Sequence, residues 1–248
     1  MFESEVVPRL QAMSGIEKVP EFVELKFAGI GESDFHQGVD DRLEAIADLE
    51  HGYCARPGEV DLRLIGTVSS IREARDVVRD AFAGELVSDD GANLEKVVVH
   101  LLAGQGRTLA IAESCTGGLI ASRITDVPGS SGVFRYGFVT YANEAKQDLL
   151  GVSRDALRTH GAVSGPVAQQ MAEGALEAGG ADLAVAVTGI AGPAGGSEEK
   201  PVGTVFLGLA EKGKETRVYK QFHPWARAAF KRQVSQSALN LVRQALGG

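Results

Sequence analysis

The chain has 248 residues, of which 44% are hydrophobic and 23% are charged, and its formal net charge is −8 at pH 7. These values are ordinary for a globular protein and exclude the collagen-like and intrinsically disordered classes. No apolar run has the length of a membrane span, and the acidic N-terminus lacks the apolar region of a signal peptide. The two cysteines, Cys54 and Cys115, do not suggest a disulfide framework, so we expect a cytoplasmic protein.

The charge is distributed unevenly along the chain. Residues 1–90 carry 20 acidic and 9 basic side chains, a net charge of −11, whereas residues 91–248 carry 13 acidic and 16 basic side chains, a net charge of +3. The first part is therefore a poor candidate for binding nucleic acid, which requires excess positive charge. The second part can hold an anionic small molecule without overall repulsion.

Strands and helices are mixed in the first 90 residues. Residues 1–19 are predicted as a tail that contains a short helix and a turn, and residues 20–90 as a small α+β domain. The predicted elements of this domain are strands at 21–29 and 58–68 and helices at 32–48 and 70–84. The polar, glycine-containing segment 87–93 is predicted to be a linker.

Residues 91–248 show the pattern of an α/β domain, a three-layer structure with a mixed sheet flanked by helices. The strands are predicted at 108–114, 133–142, 181–192, 202–213 and 215–223, and the helices at 94–106, 115–125, 143–150, 153–160, 164–178 and 226–246.

A serine lies where an apolar strand meets a helix, in the segment AESCTGG at 112–118. Backbone N–H groups at such a turn bind anions or stabilise an oxyanion, and glycine allows close approach. Ser114 can therefore be a nucleophile, a phosphate ligand or a helix N-cap, and the pattern alone favours the N-cap. The neighbouring Cys115 fits a small buried residue better than a reactive thiol.

Two further segments contain candidate functional residues. In YANEAK (141–146), Tyr141 ends a strand and Lys146 lies in the next helix, where a lysine of lowered pKa can act as the base for a serine. The segment alone favours a simpler interpretation, a solvated lysine and a half-buried tyrosine. The glycine-rich segment TGIAGPAGG (188–196) follows a strand and suits an anion or amide pocket, although a structural turn is the alternative. The five histidines have no metal-binding spacing, so we expect no metal.

These segments together resemble the C-terminal domain of the CinA (competence/damage-inducible) family, also known as the PncC-type nicotinamide mononucleotide amidohydrolase. The resemblance covers about 91–248 and includes LAIAESCTGGLIASRITDVPGSSGVFRYGFVTYANEAKQDLLGV (109–152), HGAVSGPVAQQMA (160–172) and VAVTGIAGPAGGSEEKPVGTVFLGL (185–209). It implies hydrolysis of the carboxamide of nicotinamide mononucleotide to nicotinate mononucleotide and ammonia. It also implies a homodimer, and it implies neither a cofactor nor a metal.

The resemblance also implies roles for individual residues. Ser114 would be the nucleophile, Lys146 its base, and Tyr141 a group that orients the reactants or relays the proton. The remaining residues would line the substrate pocket: Thr116, Gly117, Gly118, Thr188, Gly189, Gly192, Gly195, Gly196 and Arg227. The family commonly has Gly-Asp-Arg before the last helix, whereas this chain has Trp225-Ala226-Arg227, so the positioning of the arginine or the substrate preference is expected to differ.

The resemblance extends to the first 90 residues. The segments FAGIGESDF and ARPGEVDLRL are similar to the KH-like middle domain of longer CinA proteins, and MFESEVVPRL to the end of the molybdopterin-binding-like domain that precedes it there. We expect that first domain, and any phosphohydrolase activity associated with it, to be missing from this chain.

Two alternatives to the nicotinamide mononucleotide amidohydrolase remain open. The protein can be a binding or regulatory module with an idle catalytic domain, or an amidase that acts on another pyridine nucleotide. A nucleic-acid-binding KH domain needs a GXXG loop, and Gly29-Ile30-Gly31-Glu32 lacks that spacing and is acidic. We therefore expect residues 20–90 to have a structural or dimer-forming role.

Overall fold

A computed structural model describes residues 5–14 and 20–248. Helix α1 spans Val7–Ser14, and the predicted turn at 15–19 lies outside the described residues. The rest forms an N-terminal unit (residues 20–88) and a C-terminal unit (residues 94–248) that pack against each other. Within the part of the chain that the structure describes, no helix is long and apolar enough to span a bilayer.

The N-terminal unit is a four-stranded antiparallel sheet with two helices, as an α+β pattern predicts. Its strands have the order β2-β3-β1-β4. The element order β-α-β-β-α-β with this sheet order is the ferredoxin-like arrangement, and the likeness to a KH domain stays a prediction. The elements are β1 (Glu21–Ala28), α2 (Glu32–Glu44), β2 (Leu49–Arg56), β3 (Glu59–Gly66), α3 (Val68–Phe82) and β4 (Leu86–Ser88).

Two strands of this unit were not predicted from the sequence. Strand β2 is an edge strand whose residues are mostly half-buried, and polar and apolar side chains do not alternate along it as they do in a typical strand. Strand β4 has only three residues and pairs with β1 on the other edge. The predicted linker at 87–93 was therefore wrong at its start, because its first residues belong to the sheet.

The C-terminal unit has a five-stranded mixed sheet with the order β6-β5-β7-β8-β9. Strands β6, β5 and β7 are parallel, and β8 and β9 are antiparallel to their neighbours. The elements are α4 (Leu94–Gly104), β5 (Leu109–Glu113), α5 (Leu119–Thr125), β6 (Phe134–Val139), α6 (Asn143–Leu150), α7 (Arg154–His160), α8 (Gly165–Gly179), β7 (Leu183–Gly189), β8 (Thr204–Glu211), β9 (Arg217–Phe222) and α9 (Arg227–Ala245).

The two faces of the central strands carry side chains of different size. Leu109 and Ile111 of β5 face a core shared with helices α4, α5 and α9, whereas Ala110 and Ala112 face helix α8. The alanine face lets α8 lie close to the sheet, and a Cβ at Gly208 of β8 would stand 2.4 Å from a backbone oxygen of α8. Helices on both faces complete the three-layer α/β structure that the sequence predicts.

Helix α9 joins the two units through a buried arginine. Arg243 is fully buried, and its guanidinium donates to the carbonyl oxygens of Gly84 (2.7 Å) and Leu86 (3.0 Å) and to Oδ1 of Asn240 (2.9 Å). About two helical turns earlier, Gln236 Nε2 lies 3.2 Å from a carboxylate oxygen of Glu59. The position of α9 is thus fixed against the N-terminal unit.

The N-terminus of α9 lacks a side-chain cap. Ala226 occupies the N-cap position with extended backbone angles (φ −55°, ψ 147°), and its methyl group accepts no hydrogen bond. This is the position at which the CinA-like pattern has an aspartate, the residue type that accepts a hydrogen bond from the first turn of a helix. The first structural consequence of Ala226 at this position is therefore that helix α9 has no side-chain N-cap.

Replacing the buried arginine is expected to weaken the contact between the units. Arg243→Met removes a buried guanidinium from two partly buried carbonyl oxygens, so we expect the free energy of unfolding to fall by about 1–3 kcal/mol. Denaturant unfolding measures this change. The control is Arg158→Met, which removes an exposed ion pair with Asp155 that is worth about 0–1 kcal/mol. Equal losses in the two variants would contradict the role assigned to Arg243.

Restoring the cap is expected to stabilise helix α9. Ala226→Asp supplies an acceptor for the first-turn N–H groups, so the free energy of unfolding should rise by about 1 kcal/mol. Ala226→Asn should give a similar gain, because the gain comes from the hydrogen bond more than from the charge. A thermal or denaturant unfolding curve measures the change in stability. If neither substitution stabilises the protein, the missing N-cap at Ala226 does not limit the stability of α9.

Candidate active site

The carboxyl ends of three parallel strands meet at one edge of the five-stranded sheet. Strand β5 lies between β6 and β7, and their register places Ser114, Thr140 and Thr188 side by side. The Ser114 N–H donates to the carbonyl oxygen of Val187 (3.0 Å), and the Thr140 N–H donates to that of Glu113 (2.9 Å). Ligands of α/β proteins bind at this edge of the sheet.

A buried carboxylate holds the turn that follows strand β5. Glu113 is 1% exposed, and its oxygens accept hydrogen bonds from the N–H groups of Gly118 (2.9 Å), Ile120 (3.1 Å) and Ala121 (2.9 Å). A negative charge here also complements the start of helix α5. No role for Glu113 was predicted from the sequence. An acidic residue at the end of a buried apolar strand is unusual, and this could have indicated a structural role.

The fold brings Ser114 and Lys146 into contact. Lys146 comes from the first turn of α6 and is 1% exposed, and its Nζ lies 3.1 Å from the Ser114 Oγ. The same nitrogen lies 2.7 Å from the carbonyl oxygen of Thr140 and 3.3 Å from that of Tyr141. The distance between nitrogen and hydroxyl oxygen is that of a nucleophile and its base.

The surroundings of Lys146 favour the neutral amine. Burial lowers the pKa of Lys146 from its ordinary value, because an ammonium ion loses its hydration inside the protein. A neutral amine has two N–H donors and one lone pair. The carbonyl oxygens of Thr140 and Tyr141 can take the two donors, which leaves the lone pair to accept the hydroxyl proton of Ser114.

The thiol next to Ser114 is not suited to attack. Cys115 is buried, and burial raises the pKa of its thiol to about 12. Because only the thiolate is strongly nucleophilic, this side chain is inert near neutral pH. The structure therefore favours the serine over the cysteine as the nucleophile.

Tyr141 and Arg227 contact each other at the open side of the site. The Arg227 Nη2 donates to the Tyr141 hydroxyl (3.0 Å), and its Nη1 donates to the Gly192 carbonyl oxygen (2.9 Å). Tyr141 is 62% exposed, and it is its carbonyl oxygen, not its hydroxyl, that contacts Lys146. In this arrangement the phenol orients the arginine instead of relaying a proton to the lysine.

The glycine-rich segment follows β7 and lies beside Arg227. Thr188 is fully buried, and its hydroxyl donates to the Ala162 carbonyl oxygen (2.7 Å), so it fixes a neighbouring loop. Gly196 cannot carry a side chain, because a Cβ there would stand 2.7 Å from the Val202 nitrogen. The structure brings Gly192 to Arg227, whereas Gly189 is the last residue of β7 and Gly195 lies beside the Ile190 side chain.

The turn at 115–118 provides fewer free N–H groups than the sequence suggests. The Gly118 N–H is occupied by Glu113, which leaves those of residues 115–117 without an acceptor among the described residues. Gly117 and Gly118 have φ values of +61° and +95°, which suit glycine. Thr116 is fully buried, and its hydroxyl has no hydrogen-bond partner in the described part of the chain.

A lysine that the sequence analysis did not single out also reaches this turn. Lys231 lies one helical turn after Arg227 in α9, and a Cβ at Gly117 would be 3.7 Å from its Nζ. In the sequence, its position is indicated by the four-residue spacing from Arg227, which puts the two side chains on the same face of the helix. No group of three or more His, Cys, Asp or Glu side chains that could hold a metal occurs in the described ranges.

Sequence comparison connects most of the chain to known proteins. Residues 91–246 match the family model of the CinA C-terminal domain. A CinA-like protein of Akkermansia muciniphila is 51% identical over 239 residues, which are 96% of this chain and 58% of that protein. A putative competence-damage inducible protein of Symbiobacterium thermophilum is 49% identical over 223 residues, 87% of this chain and 52% of that protein. The chain thus spans a little more than half the length of these curated relatives.

Solved structures share the fold of the C-terminal unit. A competence/damage inducible protein from Agrobacterium tumefaciens has a TM-score of 0.60 and 44% identity, covering 62% of this chain and 94% of that one. A CinA superfamily protein from Klebsiella pneumoniae has a TM-score of 0.60 and 32% identity, covering 62% and 96%. These similarities confirm the predicted α/β fold. With a family model over more than half of its length and close relatives over nearly all of it, the chain belongs to the CinA family.

Proposed function

We propose that the site hydrolyses the carboxamide of nicotinamide mononucleotide, giving nicotinate mononucleotide and ammonia. The observation that carries the proposal is the 3.1 Å contact between the Ser114 hydroxyl and the buried amine of Lys146. An amide is a poor electrophile, so its hydrolysis requires an activated nucleophile, a proton donor for the leaving amine and donors for the oxyanion. The side chains and the N–H groups around Ser114 can supply all three.

The first half of the reaction forms an ester on the serine. The Ser114 Oγ attacks the carboxamide carbon while Lys146 accepts the hydroxyl proton, and the carbonyl oxygen becomes an oxyanion. The unoccupied N–H groups of residues 115–117 stabilise that charge. Collapse of the intermediate breaks the carbon–nitrogen bond, and Lys146 donates its proton to the leaving ammonia. The products of this half are ammonia and an acyl-enzyme with a neutral lysine.

The second half hydrolyses the ester. Lys146 accepts a proton from water, the resulting hydroxide attacks the ester carbon, and the protonated lysine returns its proton to the Ser114 Oγ as the carboxylic acid leaves. The acid then ionises in solvent. Lys146 thus acts alternately as base and acid in both halves, which requires a pKa closer to neutrality than that of an exposed lysine.

The identity of the substrate rests on the family resemblance and on positive charge at the site. Arg227 lies at the open side of the site, and guanidinium groups bind phosphate through charge-assisted hydrogen bonds. A mononucleotide with an anionic phosphate fits this environment. An amidase on another pyridine nucleotide is the second candidate, and assays with several pyridine nucleotides distinguish the two.

The partners and the location of the protein belong to the same proposal. We expect a homodimer from the resemblance, and strand β6 offers an exposed edge with the large side chains of Tyr136 and Val139. Cys54 and Cys115 are both free thiols, which suits the reducing cytoplasm. The acidic N-terminal unit favours neither a nucleic acid nor an anionic membrane surface as partner.

Removal of the serine hydroxyl is expected to abolish turnover. Ser114→Ala should lower kcat for ammonia release from nicotinamide mononucleotide by about a thousandfold or more, because the nucleophile is lost. Ser122→Ala removes an exposed hydroxyl from the adjacent helix α5 and should retain the activity of the unsubstituted protein. If Ser114→Ala kept most of the activity, Ser114 would not be the nucleophile. If the unsubstituted protein released no ammonia from any pyridine nucleotide, the amidase proposal itself would fail.

The pH profile is expected to report the titration of Lys146. Only the neutral amine accepts the serine proton, so kcat/KM should rise with pH and level off above the pKa of Lys146, which burial places below the ordinary value of 10.5. Lys146→Arg replaces the amine with a permanently charged group and should remove both the activity and this limb. An unchanged profile in an active Lys146→Arg variant would exclude the lysine as the base.

A further inference from the structure

We propose that Lys231 binds the phosphate of the substrate, as a second cation beside Arg227. The inference rests on the proposed function in so far as the substrate is a phosphate monoester. It adds a second binding residue from helix α9 to the site.

The geometry places both cations at one site. Arg227 and Lys231 are four residues apart at the start of α9, so their side chains leave the same face of the helix. Arg227 reaches Tyr141 and Gly192 on one side. Lys231 extends to the turn after Ser114. A Cβ built on Gly117 would lie 3.7 Å from the Lys231 Nζ, which is an ordinary van der Waals distance. The two side chains therefore frame the region between the glycine-rich segment and this turn.

The charge of Lys231 is not neutralised by the protein. Its half-buried amine forms no ion pair and no side-chain hydrogen bond with the described residues, whereas Arg123, on the neighbouring α5, is paired with Glu95. Glu113, which precedes the turn, has both carboxylate oxygens occupied by three backbone N–H groups. An unpaired cation attracts an anion, and an ammonium group holds phosphate through charge-assisted hydrogen bonds.

The field of Lys231 reaches the turn itself. Burial raises the pKa of the Cys115 thiol, and the positive charge of Lys231 opposes that shift. A negative group at the turn is therefore favoured by Lys231. Two such groups arise in the proposed reaction, the phosphate and the transient oxyanion. We assign Lys231 to the phosphate because Arg227 stands one turn away on the same face of α9, and two neighbouring cations match a doubly charged phosphate better than a singly charged oxyanion.

The test measures the binding of inorganic phosphate to the full chain by calorimetry. Lys231→Met should weaken binding by about tenfold or more, as expected for loss of one charge-assisted hydrogen bond. Lys231→Arg should retain it. The matched control is Arg232→Met, which removes the same charge from the next, exposed residue of α9 and should bind phosphate like the unsubstituted protein. Unfolding curves verify that each variant is folded.

A kinetic comparison separates the phosphate from the oxyanion. Lys231→Met should raise KM for nicotinamide mononucleotide about tenfold and leave the turnover of nicotinamide riboside, which has no phosphate, unchanged. Equal losses on both substrates would assign Lys231 to the oxyanion and overturn the proposal. Phosphate binding that is absent in the unsubstituted protein or unchanged in Lys231→Met would overturn it as well. Because phosphate binding needs no turnover, failure of the amidase proposal remains distinguishable from failure of this one.

Discussion

The site depends on a lysine amine held inside the protein by oxygen atoms alone. Lys146 is 1% exposed, and its Nζ contacts two backbone carbonyl oxygens and the Ser114 hydroxyl. Burying an ammonium ion is costly, and the cost is avoided when the amine is neutral. The fold satisfies this condition because β5 and β6 are adjacent and parallel, so the serine that follows one strand meets the helix that follows the other. The same burial that lowers the pKa of Lys146 makes it a useful base near neutral pH.

Helix α9 links that site to the rest of the molecule. Its first turns carry Arg227 and Lys231, and its last turns carry Arg243, which is bonded to the carbonyl oxygens of Gly84 and Leu86 in the N-terminal unit. A rigid helix transmits its position from one end to the other. The N-terminal unit therefore helps to place the cations of the site through its contact with α9.

The sequence predicted the parts of this structure that have strong periodicity or a recognisable motif. The alternation of large and small residues in β5 and β7 marks a strand buried on both faces, and the spacing of Ser114, Tyr141 and Lys146 matches the CinA pattern. Strand β2 was not predicted because polar and apolar residues do not alternate along it. Glu113 and Lys231 escaped because their roles depend on which elements become neighbours in space, and neither strand pairing nor helix docking is visible in local sequence. The resemblance left open whether Tyr141 orients the reactants or relays a proton, and the hydrogen bond between its hydroxyl and Arg227 favours the orienting role.

The most direct test of this account is the titration of the Lys146 amine itself. The protein can be labelled with lysine that carries ¹³C at the carbon next to the amine, and the Lys146 resonance is identified by its absence from the Lys146→Arg variant. We predict that this resonance titrates below pH 10.5, the ordinary pKa of lysine, and below the exposed lysines of the same sample. A Lys146 resonance that titrates at or above 10.5 would contradict the neutral base, and with it the mechanism built on the contact between Lys146 and Ser114.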